Sequence, residues 1–376
     1  MRLTFKYRIK ANKETIAKAE RWLDLCRFVY NCALAQRIMW YKQGKKSISK
    51  YDQMHQLAEA KKEHSEYKEV NAQVLQDVLA RLDKAYQSFF RRIKQGKEKA
   101  GFPRFKGKYR YDSFTFTSVN NGWKLKDKYL SVTNLGIFKI YGLRPIEGKI
   151  KTVTIRRSPT GKWYACFSCD NVPERLQEHS DKSIGLDMGL TSFIVDSEGN
   201  QVIYPKYLSL SEKLLRMRQR RLSRRKKGSS RRNKARILVA KAHEIVQNRR
   251  NDWLHKVAND YVSKYGKIVI EDLNIKGMVQ NRHLSKSISD SSWGMFGELL
   301  SYKAECAGRE LIKINPNGTS QICSCCGVKV EKTLAVRIHH CPYCGLILDR
   351  DFNAARNILA LGQRVQAQTR EASCVV

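Results

Sequence analysis

Two closely spaced pairs of cysteines near the C-terminal end constrain the fold more than any other feature of this chain. The first lies in Cys323-Ser324-Cys325-Cys326-Gly327 and the second in Cys341-Pro342-Tyr343-Cys344-Gly345. Each is a C-x-x-C turn followed by glycine, and two such turns supply the four thiolates of a tetrahedral zinc site. Because four protein ligands leave no open position on the ion, the predicted Zn²⁺ is structural.

The first turn can be read in two registers, since Cys325 lies between the other two cysteines. We prefer Cys323 and Cys326 with Cys341 and Cys344, because both pairs then have the same spacing. His339 and His340 are spare candidate ligands, and a set of buried free cysteines is the alternative. The chain has 11 cysteines. Because we expect no export signal, we favour metal binding over disulfides.

Acidic residues end two short apolar segments that read as buried strands. Asp187 follows Ile184-Gly185-Leu186, and Glu271 follows Ile268-Val269-Ile270. If these strands are parallel, both carboxylates reach the same edge of the sheet, where α/β folds place their sites. Asp351, at the start of a predicted helix, would complete a three-carboxylate site. A lone acid at a strand end is also commonly a surface charge or a helix cap.

Three carboxylates suit Mg²⁺ or Mn²⁺, which prefer hard oxygen ligands. Two such ions, about 4 Å apart, can activate water and stabilise the leaving oxygen of a phosphodiester. Spacing alone does not show that the three acids converge, and Asp272 and Asp349 are local alternatives to Glu271 and Asp351.

The charge of the chain indicates a polyanionic partner. Its 376 residues carry a formal net charge of +37, far more than solubility requires. No apolar segment approaches the ~20 residues that span a bilayer, and residues 1–6 lack the apolar core of a signal peptide. We therefore expect nucleic acid rather than a membrane as the partner, in the cytosol or nucleoid.

The strongest concentration of positive charge is residues 213–243, which contain no acidic residue. A helix of this composition can lie along phosphates with an affinity that is independent of base sequence and sensitive to salt. The alternative is a solvated charged face or a disordered arm. The candidate nucleic-acid contacts here are Arg218, Arg221, Arg224, Arg225, Lys226, Lys227, Arg231 and Arg232.

Hydrophobic periodicity divides the chain into regions. Alternation in residues 2–9 predicts a half-buried strand, and spacings of three and four predict helices after Asn12 and over 71–94. From Gly101, short alternating segments predict an antiparallel barrel or sandwich that the first strand could join. After a polar linker near 171–182, we expect these elements in order: strands near 183–188, 191–196 and 201–204, helix 244–264, strand 267–271, helix 293–307, strand 311–314 and helix 352–361.

Seven segments match one protein family in the same order and span nearly the whole chain. They are Arg27-Phe28-Val29-Tyr30-Asn31, Gly101-Phe102-Pro103-Arg104-Phe105, Gly185-Leu186-Asp187-Met188-Gly189-Leu190, residues 221–229, Ile270-Glu271-Asp272-Leu273-Asn274, Thr319-Ser320-Gln321 and Asp349-Arg350-Asp351-Phe352-Asn353-Ala354-Ala355. The chain thereby resembles TnpB, the family of insertion-sequence-encoded RNA-guided DNA endonucleases related to type V CRISPR effectors.

The resemblance implies a bilobed, multidomain fold that combines α/β, β-barrel and helical parts. These parts are a wedge β-barrel (1–11 and 97–175), a helical recognition domain (12–96), a RuvC-like nuclease domain of the RNase H fold (180–318 and 348–362), an inserted zinc ribbon (319–347) and a tail (363–376). It also implies that Asp187, Glu271 and Asp351 are the catalytic acids, because Asp351 directly precedes the Phe-Asn-Ala-Ala segment. Tyr51, Gln76 and Thr117 fall where the family reads a short DNA motif beside the target.

The function that the resemblance implies is RNA-guided, divalent-metal-dependent cleavage of DNA, with a guide RNA and double-stranded target DNA as partners. Base pairing would supply the sequence specificity, and the protein would read the adjacent motif and the shape of the duplex. A monomer in the cytoplasm or nucleoid of a prokaryote is expected. The alternatives are a catalytically silent RNA-guided repressor, a DNA transposase with the same carboxylate chemistry, and a zinc-ribbon binding module without catalysis.

Overall fold

The computed structural model describes residues 1–44, 47–96, 100–119, 121–178, 180–333 and 336–374, with side chains described as far as residue 365. The chain forms two compact units, Met1–Pro173 and Glu174–Val376. Each unit has its own hydrophobic core. In the described ranges, no helix is long and apolar enough to cross a membrane.

The first unit combines helices with one antiparallel sheet. Its elements are β1 (Leu3–Lys10), α1 (Lys13–Gly44), α2 (Lys50–Glu63), a 3₁₀ turn (Ser65–Glu69), α3 (Ala72–Lys94), β2 (Ser113–Phe116), β3 (Trp123–Lys126), β4 (Tyr129–Val132), β5 (Gly136–Tyr141), β6 (Lys149–Arg157) and β7 (Trp163–Asp170). The strand order is β2-β6-β7-β1-β5-β4-β3. The N-terminal strand therefore lies inside the sheet, between β7 and β5.

Helices and sheet of this unit share a single core. The side chain of Asn12 accepts a hydrogen bond from the Thr15 N–H at 2.7 Å and so caps α1. Trp22 of α1 is buried against the ring of Phe114 on β2, with ring centroids 5.5 Å apart. Arg81 of α3 donates to the carbonyl oxygen of Ser113 at 2.9 Å. The apolar sides of α1 and α3 thus cover one face of the sheet.

The sheet is a half-barrel, where the sequence predicted a barrel or a sandwich. β2 and β3 are its two edges and do not pair with each other. Closure requires strands that are tilted and long enough to keep one continuous register around the barrel. Both edge strands are only four residues long, and the described strands leave the sheet open.

The second unit is a mixed α/β assembly. Its elements are β8 (Ser183–Asp187), β9 (Ile194–Asp196), β10 (Gln201–Val202), α4 (Tyr207–Ser223), α5 (Ser230–Lys264), β11 (Lys267–Glu271), α6 (Ile275–Met278), α7 (Ser285–Ser291), α8 (Trp293–Ala307), β12 (Glu310–Ile314), β13 (Ile338–His340), β14 (Ile347–Asp349) and α9 (Arg350–Cys374). The five-stranded sheet has the order β10-β9-β8-β11-β12. Strands β8, β11 and β12 are parallel, and β9 and β10 are antiparallel to their neighbours.

Helices cover both faces of this sheet. On one face, Ile268 and Ile270 are buried with residues of α5 and α8, such as Leu254 and Phe296. On the other face, Val269 and Ile314 pack with Ile358 of α9. The parallel strands are therefore apolar on both sides, which is why they appear in the sequence as continuous apolar runs.

Two glycines let α9 lie close to the sheet. A Cβ at Gly185 of β8 would lie 2.3 Å from the carbonyl oxygen of Ala355, and a Cβ at Gly362 would lie 2.5 Å from a methyl carbon of Val269. The helix predicted at 352–361 is too short, because α9 runs from Arg350 to Cys374 and so into the predicted tail. Gly362 lies inside this helix, where it packs against Val269.

We expect Gly185→Ala to lower the free energy of unfolding by about 1–3 kcal/mol, because the new methyl group meets a backbone oxygen that has no room to move. Gly297→Ala on α8 is the matched control, since its Cβ would find the nearest atom, Cδ1 of Ile270, at 3.9 Å. Replacing this helical glycine should stabilise by up to about 1 kcal/mol. Urea unfolding of both variants measures the two changes in the free energy of unfolding, which should have opposite signs. Equal stabilities of the two variants would contradict the close approach of α9 to β8.

The predicted helix at 244–264 also begins earlier than expected, at Ser230. Ser229 is its N-cap and accepts from the Arg232 N–H at 3.2 Å. Gly228 has a φ of +83° and permits the chain to reverse before the cap. The basic segment is therefore a hairpin of α4 and α5, and not one continuous helix.

Candidate active site

Parallel pairing brings Asp187 and Glu271 to the same edge of the second sheet. Leu186 of β8 lies opposite Ile270 of β11, so the next residue on each strand is the acid that ends it. Burial raises the pKa of Asp187 well above its usual value, and the negative charges of Glu271 and Asp351 raise it further. Arg350 partly opposes this rise. The three predicted acids are therefore close enough to interact electrostatically.

Glu271 is buried and held by a hydroxyl group. Its exposed fraction is 8%, and burial raises its pKa. Thr319 donates a hydrogen bond at 2.6 Å to Oε1 of Glu271, which favours the ionised form and partly offsets the effect of burial. This carboxylate is thus fixed in orientation by a group from the segment after β12.

Asp351 lies in the first turn of α9, where the helix dipole favours a negative charge. Its Oδ1 accepts two hydrogen bonds from the guanidinium of Arg350, at 2.9 and 2.8 Å. Oδ1 of Asp349, the local alternative, accepts hydrogen bonds from the backbone N–H groups of Asp351 and Phe352 at 2.9 and 3.0 Å. Asp349 is therefore the N-terminal cap of α9.

The four predicted zinc ligands come together in the described structure. The sulfur atoms of Cys323, Cys326, Cys341 and Cys344 all lie within 4.8 Å of one another. Cys323 is 3.6 Å from Cys344, and Cys326 is 3.6 Å from Cys341. The three carboxylates do not form so tight a group. A cluster of four sulfurs at these distances is the donor set of a structural zinc site.

Cys325 and His339, two of the spare candidate ligands, lie outside the four-cysteine cluster. Cys325 is exposed and outside the group, and His339 is buried with Nδ1 against the ammonium of Lys332. Although burial raises the pKa of Cys341, backbone N–H groups and neighbouring sulfurs outweigh it and lower that pKa to about 7. The distances among the four sulfur atoms, rather than the pKa of one thiol, carry the assignment of the donor set.

The basic hairpin presents most, but not all, of its predicted contacts to solvent. Arg221, Arg224, Lys226, Lys227 and Arg231 are exposed, and Arg225 is half-buried. The outer side of α4 lines an open groove of about 1440 Å³ that extends to Arg225. Positive charge and open space therefore occur together along this helix.

Two of the predicted contacts hold the hairpin together instead of standing free. Arg218 donates to the carbonyl oxygen of Leu238 at 2.9 Å. Arg232 donates to the carbonyl oxygens of Leu222 and Arg225 at 2.9 and 2.8 Å, closing the turn between α4 and α5. Sequence alone does not distinguish these arginines from their exposed neighbours, since the distinction depends on which carbonyl groups the turn leaves open.

The candidates for DNA-motif reading all belong to the first unit, and all are exposed. Tyr51 is 64% exposed, with the ammonium of Lys50 4.8 Å from its ring centre. Gln76 lies on α3 and Thr117 just after β2. Gln73 accepts from the Ser118 N–H at 3.2 Å, so these two elements meet here. The side chains are accessible, and their role stays a prediction.

Residues that the sequence did not single out also surround the acids. Arg350 neutralises Asp351, Thr319 holds Glu271, and Asn353 and Asn357 are buried on α9. Thr319 belongs to the Thr-Ser-Gln segment, and Arg350 and Asn353 belong to the segment from Asp349 to Ala355, whereas Asn357 lies outside both. Buried amides on a helix face four residues apart could have been noticed as an unusual polar stripe.

Three family profiles match parts of the chain. Residues 293–358 match the Cas12f1-like TNB domain, residues 167–282 match the OrfB family described as "Probable transposase", and residues 1–46 match a helix-turn-helix domain. In the structure, residues 1–44 form a strand and one long helix. The last profile therefore corresponds here to β1 and α1.

Curated relatives align with nearly the whole chain. A Streptomyces pristinaespiralis protein, named as an RNA-guided DNA endonuclease, is 33% identical over 371 residues, covering 96% of this chain and 90% of the relative. A similarly named Escherichia coli protein, InsQ, is 30% identical, covering 96% and 93%. Among solved structures, the mini-RNA-guided endonuclease CRISPR-Cas_phi3 has a TM-score of 0.50 at 10% identity, covering 96% and 92%, which supports the fold.

The half-barrel, the α/β sheet with acids at one edge and the four-cysteine cluster, together with these relatives, define a transposon-associated RNA-guided DNA endonuclease. Within that class, the chain belongs to the TnpB family.

Proposed function

We propose that this chain uses Asp187, Glu271 and Asp351 to cleave DNA complementary to a guide RNA, beside a short adjacent motif. The observation that carries the proposal is the pairing of β8 with β11, which ends both strands in a carboxylate at one edge of the sheet. The electrostatic effect of Asp351 on Asp187 supports a common site. The two relatives that align with nearly the whole chain are named as RNA-guided DNA endonucleases, which supports DNA as the substrate.

A divalent metal site fits the residues at this edge. Burial is the main cause of the raised pKa of Asp187, and the negative charges of Glu271 and Asp351 add to it. A divalent cation at this edge would offset both effects. Mg²⁺ or Mn²⁺ held by the three acids would supply activation of water and stabilisation of the leaving oxygen. The protein itself would orient the oxygens: Thr319 fixes Glu271, and Arg350 fixes Asp351.

The fold of the second unit also belongs to the proposal. We infer a RuvC-like nuclease of the RNase H fold over 180–318 and 348–362, supported by a mixed sheet with three parallel strands and helices on both faces. The four-cysteine cluster within 319–347 would bind structural Zn²⁺. We also retain a wedge domain (1–11 and 97–175) and a recognition domain (12–96) as functional divisions of the chain.

Guide RNA and target DNA are the proposed partners, and the α4–α5 hairpin is their proposed phosphate-binding surface. Its exposed basic residues suit a polyanion without reading its bases. Tyr51, Gln76 and Thr117 are proposed to read the adjacent motif, and their exposure is compatible with that role. We further propose that the chain acts as a monomer in the cytoplasm or nucleoid of a prokaryote.

Replacing Arg221, Arg224 and Lys227 by alanine should weaken binding of guide RNA and reduce its dependence on salt. Each lost phosphate contact lowers the slope of log K against log salt by about 0.7 to 0.9, so the triple variant should lose about two units of slope. Filter binding at several salt concentrations measures both quantities. An unchanged slope would contradict a role for these residues in phosphate binding.

The matched control is Lys256→Ala with Lys264→Ala on the same helix, α5. Their ammonium groups pair with Asp252 and Asp260 at 2.8 Å. Because a nearby carboxylate already balances each charge, we expect little change in the slope. The comparison separates loss of a specific contact from loss of overall positive charge.

The profile match to a transposase gives a second candidate function. A transposase could use the same carboxylates while a DNA 3′-hydroxyl group attacks in place of water. Incubating the protein with guide RNA, Mg²⁺ and an end-labelled duplex separates the two functions. Guide-dependent shortening of the labelled strand supports the endonuclease, whereas labelled strands joined to other DNA favour the transposase. Binding without either product would contradict both.

A further inference from the structure

The segment after β12 folds back over the edge of the sheet that carries the candidate acids. Ile314, the last residue of β12, lies opposite Glu271. Gly318, with φ +84°, then reverses the chain. Thr319 follows directly and is 3% exposed. A buried hydroxyl group is thus delivered to the end of β11.

The hydroxyl of Thr319 has two possible acceptors and only one proton to donate. Oε1 of Glu271 is at 2.6 Å, and the carbonyl oxygen of Pro316 is at 3.1 Å. The shorter distance is typical of a charge-assisted O–H···O⁻ bond. The carboxylate is therefore the acceptor, and its second oxygen stays available.

Two buried amides of α9 hold the backbone around Thr319. Asn357 donates to the carbonyl oxygens of Thr319 and Ile322 at 2.8 and 2.6 Å. Asn353, one helical turn earlier, donates to the same oxygen of Ile322 at 2.8 Å and accepts from the Ser324 N–H at 2.9 Å. The segment 319–324 is thereby fixed to the helix at both of its ends.

These contacts join the two candidate metal sites of the second unit. Cys323 lies between Ile322 and Ser324, the two residues whose backbone Asn353 holds. Asp351 lies two residues before Asn353 on the same helix. A continuous series of hydrogen bonds therefore leads from the first cysteine turn to Glu271 and to the helix that carries Asp351.

We propose that Thr319 is a positioning residue for Glu271, and that Asn353 and Asn357 hold its segment so that the first cysteine turn and the acids form one rigid polar unit. This inference rests on the proposed function, because it assigns Glu271 as a metal ligand. Groups that orient metal ligands typically contribute about 10- to 100-fold to metal affinity or activity.

Thr319→Val tests the proposal, because it preserves shape and removes the hydroxyl. We expect Mn²⁺ binding by the purified protein, followed by electron paramagnetic resonance, to weaken about 10- to 100-fold. Thr319→Ser should bind nearly as well as the native protein, since it keeps the donor. Ser320→Ala is the matched control, because that neighbouring hydroxyl is not the one bonded to Glu271.

A double-mutant cycle with Glu271→Gln decides whether the effect passes through the carboxylate. Thr319→Val should change Mn²⁺ binding in the native background and add nothing in the Glu271→Gln background. An equal loss in both backgrounds, or none in either, would overturn the positioning role. Thermal unfolding of each variant checks that it is folded, and Thr319→Ala repeats the test should valine prevent folding.

Cleavage by the wild-type protein with its guide RNA separates this inference from the function on which it rests. Where the wild-type protein cleaves and Thr319→Val binds Mn²⁺ normally, the positioning role alone is refuted. Where the cycle behaves as expected but the wild-type protein never cleaves a matching duplex, the endonuclease function fails and the positioning of a metal ligand stands.

Discussion

Asp187→Asn is expected to abolish guide-dependent cleavage, with a loss of at least about 10³-fold in rate, equivalent to about 4 kcal/mol of transition-state stabilisation. The amide has the shape of the carboxylate but lacks its charge, so it is a poor ligand for a hard cation. Guide RNA should still bind, because the basic hairpin lies on other elements. Single-turnover cleavage with saturating guide RNA measures the loss.

The matched control is Asp272→Asn. Asp272 directly follows Glu271 and is exposed, so its loss changes the local charge without removing a proposed ligand. We expect this variant to cleave at nearly the wild-type rate. Full activity of Asp187→Asn, or equal losses in the two variants, would show that the acids at this edge are not the catalytic group.

The same substitution should also change how the stability of the metal-free protein depends on pH. The pKa of Asp187 is raised in the folded state, so the folded protein keeps this proton at pH values where the unfolded chain has lost it. Its stabilising contribution is complete below the unfolded pKa of about 3.9 and is lost as the pH rises through the folded pKa. In Asp187→Asn, the free energy of unfolding should no longer fall with rising pH for this reason. Denaturant unfolding in EDTA between pH 4 and 7 measures the difference between the two proteins.

Local patterns predicted the elements of the second unit well because its parallel strands are buried on both faces. Strands at 183–188, 267–271 and 311–314 and the helix at 293–307 agree with β8, β11, β12 and α8 to within a residue or so. β8 and β11 are short, nearly continuous apolar segments, whereas α8 shows buried residues at helical spacing. The boundaries that failed are those decided by tertiary packing, such as that of α9, which continues past Gly362, where this glycine lies against Val269.

The position of Asp187 and Glu271 at one edge of the sheet follows from strand pairing, which a single sequence suggests but does not establish. The choice of Asp351 over Asp349 came from a family resemblance, and the structure adds a physical reason, since Asp349 caps α9. The roles of Thr319 and Asn357 depend on contacts between residues 48 and 38 positions apart, respectively. No local pattern contains such information, because any buried amide or hydroxyl finds its partner only after the chain has folded.

The cysteine cluster should determine whether the segment between β12 and α9 folds at all. Its only sheet in the described residues is the two-stranded β13–β14 pair, and a two-stranded sheet is marginal in water. Large apolar side chains such as Ile338, Tyr343 and Ile347 are exposed rather than gathered into a core. We therefore expect Zn²⁺ at the four-cysteine cluster to supply most of the folding free energy of this segment.

Cys323→Ser should accordingly remove bound zinc and unfold the segment, because structural zinc contributes about 10–16 kcal/mol in small domains. Cys323 is buried, and Asn353 is hydrogen-bonded to the backbone of both neighbouring residues. Unfolding of the segment should therefore also disturb the acids, so the cleavage rate should fall as the zinc content falls. Zinc released on denaturation, cleavage rate and proteolysis within 319–349 together measure this.

Cys325→Ser is the matched control, since this exposed thiol lies between two cluster residues but outside the group. It should retain one zinc per chain and the native cleavage rate. Loss of zinc in Cys325→Ser with retention in Cys323→Ser would reverse the register of the first turn. Retention of cleavage by zinc-free Cys323→Ser would mean that the acids keep their geometry without the metal, and that Asn353 and Asn357 hold the segment unaided.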